Sequence, residues 1–228
     1  MKRAVVLLSG GLDSTTVAAI AKSDGNEIFA LTIDYNQRHR IELESAKQVA
    51  TALEVKNHVI LPLNLRSFGG SSLTGDLDVT KNIPIESIGN SIPTSYVPAR
   101  NIIFLSIALA YAETIRAETI YIGVSAIDYS GYPDCRPEFL TAFENMANLA
   151  TKSGVEGNKI SIAAPLVYLD KTETIKQGLL LGVDYSLTHT CYDPTDKGLA
   201  CGCCESCLLR LKAFANVGIN DPIKYANC

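Results

Sequence analysis

The stretch Ala4–Thr16, AVVLLSGGLDSTT, constrains the fold more than any other part of the chain. An unbroken apolar run suits a central parallel strand buried on both faces, which places a strand at Val5–Leu8. It ends in Ser9-Gly10-Gly11, and Asp13–Lys22 follows as a helix. The glycines let the backbone bend sharply and turn its N–H groups inward. With the positive end of the helix behind them, those groups form an anion seat. Ser14, Thr15 and Thr16 add hydroxyl donors. A carboxylate beside an anion is repulsive unless a cation lies between them, which assigns Asp13 to Mg2+ or to a polar contact in the turn. The turn lacks the lysine of G-x-x-x-x-G-K-[ST] and the spacing of G-x-G-x-x-G.

The rest of the chain continues the alternation. Strands are expected at Glu27–Asp34, His58–Leu61, Thr119–Gly123 and near Ile160–Ala163. Helices are expected at Arg40–Leu53, Ala99–Arg116, Pro137–Lys152, from Asp170 to Leu181 and at Glu205–Val217. Asp170 and Glu173 have the spacing of a reciprocal capping pair. Ala99–Arg116 is apolar enough to be buried on most sides. Strands alternating with helices predict an α/β fold with a doubly wound, Rossmann-like parallel sheet, whose ligands sit beyond the carboxyl ends of the strands. Leu63–Pro98 breaks the rhythm and reads either as a lid or binding loop or as a loose surface insertion. The expected division is residues 1–186 as the α/β domain, with 63–98 inserted in it, and 187–228 as a small C-terminal region.

Seven cysteines are present, four of them between Cys201 and Cys207. Cys191, Cys201, Cys204 and Cys207 fit C-x9-C-x2-C-x2-C, a spacing at which four thiolates converge on a tetrahedral zinc ion. Such a closed site is structural. A redox pair and an iron–sulfur cluster are the rival readings, and a register using Cys203 is the alternative within the zinc reading. Cys203 is otherwise left over, pointing away, and Cys135 and Cys228 are expected as free thiols. The formal charge of −4 argues against a nucleic-acid polymer as partner. No apolar stretch reaches membrane-spanning length and the N-terminus has no leader pattern, so a cytoplasmic protein is expected.

SGGLDS matches the signature of the ATP pyrophosphatase (PP-loop) superfamily, and "VLLSGGLDST", "DYNQRH", "YVPARN", "GYPDCRPEF", "PLVYLDKTE" and "HTCYDP…CGCCESCLLR" occur in this order. Together, from Val6 to Arg210, they resemble the 7-cyano-7-deazaguanine synthase family of queuosine biosynthesis. The resemblance implies an adenine nucleotide alpha hydrolase-like fold, and an ATP-dependent ligase that converts 7-carboxy-7-deazaguanine and ammonia to the nitrile through adenylated acid and amide. It implies that Leu8, Ser9, Gly10, Gly11, Leu12, Asp13, Ser14, Thr15 and Thr16 bind ATP, accompanied by Mg2+. Asp13, Arg100 and Lys171 become the candidate catalytic residues, the two cations as phosphate clamps. Tyr132, Asp134 and Arg136 become candidates to grip the deazaguanine by stacking and by pairing with its polar edges. His39 is a loop residue that could reach the nucleotide, and His189 is expected to support the zinc loop. The resemblance also implies a homodimer. A tRNA-modifying sulfurtransferase of the same superfamily is the alternative, and a non-catalytic zinc-and-nucleotide binding module is a third.

Overall fold

The structure is a computed structural model that describes residues 1–89, 91–126, 131–226 and 228. In chain order its main elements are β1 (Arg3–Leu7), α1 (Leu12–Ser23), β2 (Glu27–Asp34), α2 (Ile41–Ala52), β3 (Asn57–Pro62), α3 (Arg100–Ile115), β4 (Thr119–Tyr121), α4 (Pro137–Ala150), α5 (Lys152–Val155), β5 (Ser161–Ala163), α6 (Lys171–Leu180) and α7 (Glu205–Val217). The five strands form one parallel sheet in the order β3-β2-β1-β4-β5. β1 lies at the centre, with Val6 opposite Ala30 on one side and Tyr121 on the other.

Side chains alternate across a strand, so β1 feeds two cores. Val5 and Leu7 face a cluster with Leu105, Ala108 and Ala112 of α3 and Leu140 and Phe143 of α4. Ala4, Val6 and Leu8 face Val17 and Ala18 of α1 and Ala46, Val49 and Ala50 of α2. Helices thus cover both faces, which is why β1 has no polar residue between Ala4 and Leu7. A third cluster joins α1, α6 and α7 through Leu12, Ile175, Tyr185 and Phe214. Each large side chain buried there contributes about 1.5–3 kcal/mol. The chain winds outward from β1 to β3, then returns to place β4 on the other side of β1. That reversal opens a crevice beyond the carboxyl ends of β1 and β4.

Several expectations need correction. α3 is not buried on most sides: its core stripe is Asn101, Leu105, Ala108, Leu109 and Ala112, while Ile102 is 43% exposed. The helix expected over Pro137–Lys152 ends at Ala150, and the extended Thr151 starts α5 by accepting a hydrogen bond from Gly154 N–H through its side chain. Leu63–Pro98 is irregular but is not a loose insertion. Leu65, Leu73 and Val97 join the core under α3, and Ser71, Ser72 and Thr74 are fully buried.

Candidate active site and four-cysteine centre

The glycine turn is shaped from behind. Gly10 has φ +84°, and a Cβ there would overlap the Glu42 carbonyl oxygen and stand 2.5 Å from Ala46 N. α2 therefore packs directly on the turn, and only glycine fits. Ser9 N–H donates to Ser14 Oγ (3.1 Å), and Ser14 Oγ donates in turn to the Gly11 carbonyl (3.2 Å). Gly11 caps α1 without a side-chain bond, leaving the helix N-terminus open to the crevice. The hydroxyls of Thr15 and Thr16 bond to backbone carbonyls. They donate to the carbonyls of Gly11 (2.8 Å) and Leu12 (2.9 Å), one helical turn back.

Asp13 makes a polar contact in the turn, with Lys171 at the start of α6. The ammonium donates to both carboxylate oxygens at 2.7 and 2.6 Å. The Asp170–Glu173 capping box fixes that end of α6, and Lys171 is only 6% exposed. Nothing in their positions along the sequence pairs the two residues.

A single cleft takes in Leu8, Ser9, Gly11, Leu12, Asp13 and Ser14 at one end and Tyr35, Phe104 and Tyr132 at the other. Arg100 enters it from the first turn of α3, after Ala99 in the left-handed region at φ +55°. Tyr35, Tyr132, Tyr192 and Cys135 surround its guanidinium. Tyr132 is buried, and its hydroxyl pairs with Ser95 Oγ at 2.7 Å. Burial pushes its phenol up to about 12, so it stays neutral. The structure does not bring the other two purine candidates into the cleft lining. Asp134 Oδ2 accepts the Asn101 backbone N–H (2.9 Å), and Asn101 Nδ2 donates back to the Asp134 carbonyl (3.1 Å). The start of α3 thus takes up Oδ2, while Oδ1 is buried with no hydrogen-bond partner among the described residues. Arg136 is exposed at the entry to α4.

Glu42 does line the cleft, half-buried in the first turn of α2, where it accepts from Gln37 Nε2 at 2.7 Å. Burial pushes its carboxyl up to about 7 against the pull of Arg100 and the Gln37 hydrogen bond, with Asp34 adding to the rise. The glutamate falls three residues after the DYNQRH stretch, and its position in a first helical turn was the signal to follow. His39 also lines the cleft, with Nε2 3.3 Å from Asp193 Oδ1. His189 lines the cleft too, and its backbone N–H donates to the Gly10 carbonyl (2.9 Å). Burial, helped by Arg210, pushes the His189 imidazole down to about 4.

Cys191, Cys201, Cys204 and Cys207 are all buried, and their sulfurs lie within 4.8 Å of one another. The Cys201 N–H donates to Cys191 Sγ (3.2 Å) and the Cys204 N–H to Cys201 Sγ (3.3 Å), which stabilises sulfur in its thiolate form. S–H groups of Cys191 and Cys207 hold the Cys204 thiol well below its ordinary range. Four converging sulfurs with amide donors suit a soft tetrahedral ion, so the group could hold a metal. Cys203 points away, but Cys228 is not a free thiol: the two form a disulfide. The C-terminal segment returns along the cysteine loop, Ala226 N–H donating to the Ala200 carbonyl (2.8 Å), and so delivers Cys228 to Cys203. Cys135 is free and buried. Arg210, which sequence analysis left without a role, is 1% exposed and pairs with Asp221 at 2.7 and 2.9 Å.

No helix of the described residues is long and apolar enough to cross a membrane. The family described as "Queuosine biosynthesis protein QueC" matches residues 3–218. Two relatives named 7-cyano-7-deazaguanine synthase, from Desulfatibacillum aliphaticivorans and Geotalea uraniireducens, are 59% and 58% identical over 225 residues; each alignment covers 98% of this chain and 97% of the relative. A third of that name, from Paramagnetospirillum magneticum, is 57% identical over 227 residues and 100% of both chains. The family match includes the glycine turn, the cleft and all four clustered cysteines, and the chain belongs to the QueC family of queuosine biosynthesis proteins.

Proposed function

We propose that the protein is an ATP-dependent carbon–nitrogen ligase that makes 7-cyano-7-deazaguanine from 7-carboxy-7-deazaguanine and ammonia. The observation that carries the reading is the single cleft joining an open helix N-terminus at the glycine turn to an arginine and to aromatic side chains. Carboxylate to nitrile removes two oxygens, and oxide is a poor leaving group. Each oxygen therefore attacks the α-phosphorus of one ATP and expels pyrophosphate. Ammonia displaces AMP from the adenylated acid to give the amide. The amide oxygen is adenylated in the second round, and loss of AMP with two protons from nitrogen leaves the nitrile. Two ATP thus become two AMP and two pyrophosphates, and each AMP carries away one substrate oxygen.

The N–H groups at Ser9–Gly11 and the start of α1 receive the pyrophosphate portion, with the Asp13–Lys171 pair fixing the first turn of α1 beneath it. Both Asp13 oxygens accept from Lys171, so Asp13 does not fit as a Mg2+ ligand in this arrangement. Mg2+ arrives on the phosphates of ATP. Arg100 neutralises charge on the α-phosphate and the departing oxygen. Tyr132 and Phe104 supply ring faces for the deazaguanine, and Glu42 accepts from its guanidine-like N–H edge. Residues 1–186 carry this chemistry. Residues 187–228 hold a zinc ion through Cys191, Cys201, Cys204 and Cys207, and a closed four-sulfur site supplies folding energy rather than a reaction step. A homodimer and a cytoplasmic setting belong to the same reading.

The test is incubation with 7-carboxy-7-deazaguanine, ammonium and Mg-ATP, followed by mass detection of products. Two AMP per nitrile are expected, with the amide rising and falling before the nitrile. ADP in place of AMP, or no nitrile at all, overturns the proposal.

A further inference from the structure

The strap Thr188–Cys191 runs against the glycine turn at Gly11 and is fixed along its length. At one end Arg210 donates to Thr188 Oγ1 (2.7 Å) and to the Tyr185 carbonyl (3.1 Å). At the other, Cys191 belongs to the four-sulfur group. In the middle the His189 N–H holds the Gly10 carbonyl. Two side-chain atoms on this rigid strap have no hydrogen-bond partner among the described residues: His189 Nε2 and Thr190 Oγ1. Both atoms are buried, His189 is only 7% exposed, and both residues line the cleft. They stand directly against the turn: Thr190 Cγ2 lies 3.5 Å, and the His189 carbonyl oxygen 3.7 Å, from where a Cβ on Gly11 would be.

Buried polar atoms are nearly always paired, and leaving one unpaired is costly. Two on neighbouring residues, held in place from both sides and facing one cleft, call for a ligand with acceptor oxygens. The aromatic walls that suit a base come from the core cluster on the α3 and α4 face of the sheet. The neighbours of the strap are instead the backbone of Gly10 and Gly11 and the side chain of Ser9, the groups of an anion seat. We infer that Thr190 Oγ1 and His189 Nε2 form the second wall of the phosphate site, donating to phosphoryl oxygens of the nucleotide that the glycine turn receives. The inference rests on the nucleotide-binding part of the proposed function and adds two ligand contacts from the far end of the chain. It also gives the four-sulfur group a place in binding: Cys191, fixed there, sets the position of its neighbour Thr190.

The test uses the full-length, metal-loaded protein and measures binding, so turnover is not needed. Titrations follow inorganic pyrophosphate, Mg2+ with α,β-methylene-ATP, and 7-carboxy-7-deazaguanine. Thr190→Val and His189→Leu are each expected to weaken pyrophosphate and the ATP analogue about tenfold, the loss of one hydrogen bond to a charged acceptor. Affinity for the deazaguanine, metal content and melting temperature stay unchanged. Thr190→Ser and His189→Gln keep a donor at each place and are expected to bind within about threefold of the parent, which keeps the test open if either apolar variant folds poorly. Unchanged phosphate affinity, a loss confined to the deazaguanine, or a loss as large in the donor-keeping variants as in the apolar ones overturns the inference. A protein that binds pyrophosphate through this strap yet makes no nitrile retains the inference and loses the proposed activity.

Discussion

Replacing Glu42 with glutamine should stabilise the protein in base and leave it almost unchanged in acid. The Glu42 carboxyl titrates near 7 in the folded chain against an ordinary value of 4.5, burial being the main cause. Between those values the folded state binds a proton that the unfolded state has released, so stability falls as pH rises through this window. Below it both states are protonated and nothing is lost; above it the full cost is present. A difference of this size corresponds to about 3 kcal/mol. Water in the open cleft screens the half-buried group and brings the expected cost to about 1–2 kcal/mol. Glutamine keeps an oxygen to accept from Gln37 and cannot ionise, so Glu42→Gln removes the cost without removing the hydrogen bond.

The assay is thermal unfolding of parent and variant at pH 5 and pH 8 in matched ionic strength, without ligands. A gain of about 4 °C is expected at pH 8 and about 1 °C or less at pH 5, from the usual relation of stability to melting temperature for a chain of this length. Equal shifts at the two pH values would mean that the substitution acts through packing, and a variant less stable at pH 8 would mean that the Arg100–Glu42 attraction outweighs burial. Either result refutes the reasoning.

Gly10→Ala should cost at least about 3 kcal/mol, the sum of a left-handed backbone and overlap with α2. Gly25→Ala, at φ +80° in open space, should cost about 1 kcal/mol; equal denaturant midpoints for the two would remove α2 from the account. Asp13→Asn removes the carboxylate that pairs with the 93%-buried Lys171 side chain, and kcat/KM for ATP should fall at least about 100-fold with metal content intact; near-parent turnover would show that the pair is not needed at the turn. Cys201→Ser should lower bound zinc below one per chain and bring the melting temperature down as the 187–228 region loosens; full metal content and an unchanged melting profile would argue against a structural four-sulfur site.

What could be read from the sequence was local. The buried central strand, the glycine turn, the Asp170–Glu173 cap and the spacing of the four clustered cysteines each depend on residues close together in the chain. Partnerships between distant segments were not legible. Asp13 and Lys171 were both visible as charged residues near motifs, but 158 positions separate them, and only the packing of α6 on α1 decides that they meet. Cys203 and Cys228 look equally unattached until the C-terminal segment folds back beside Ala200. Asp134 and Glu42 show the limit most sharply. Each is an acid close to the start of a helix, and the chemistry of a purine edge is satisfied by either. Asp134 is short and lies against the open start of α3, so the Asn101 N–H takes one of its oxygens and the side chain stays out of the cleft lining. Glu42 sits at the start of α2, beside a turn whose glycine is fixed by that same helix. The geometry that makes Gly10 irreplaceable therefore also brings Glu42 to the cleft. One packing contact, α2 on the glycine turn, accounts for both features, and a change that moved α2 would disturb the phosphate end and the base end of the cleft together.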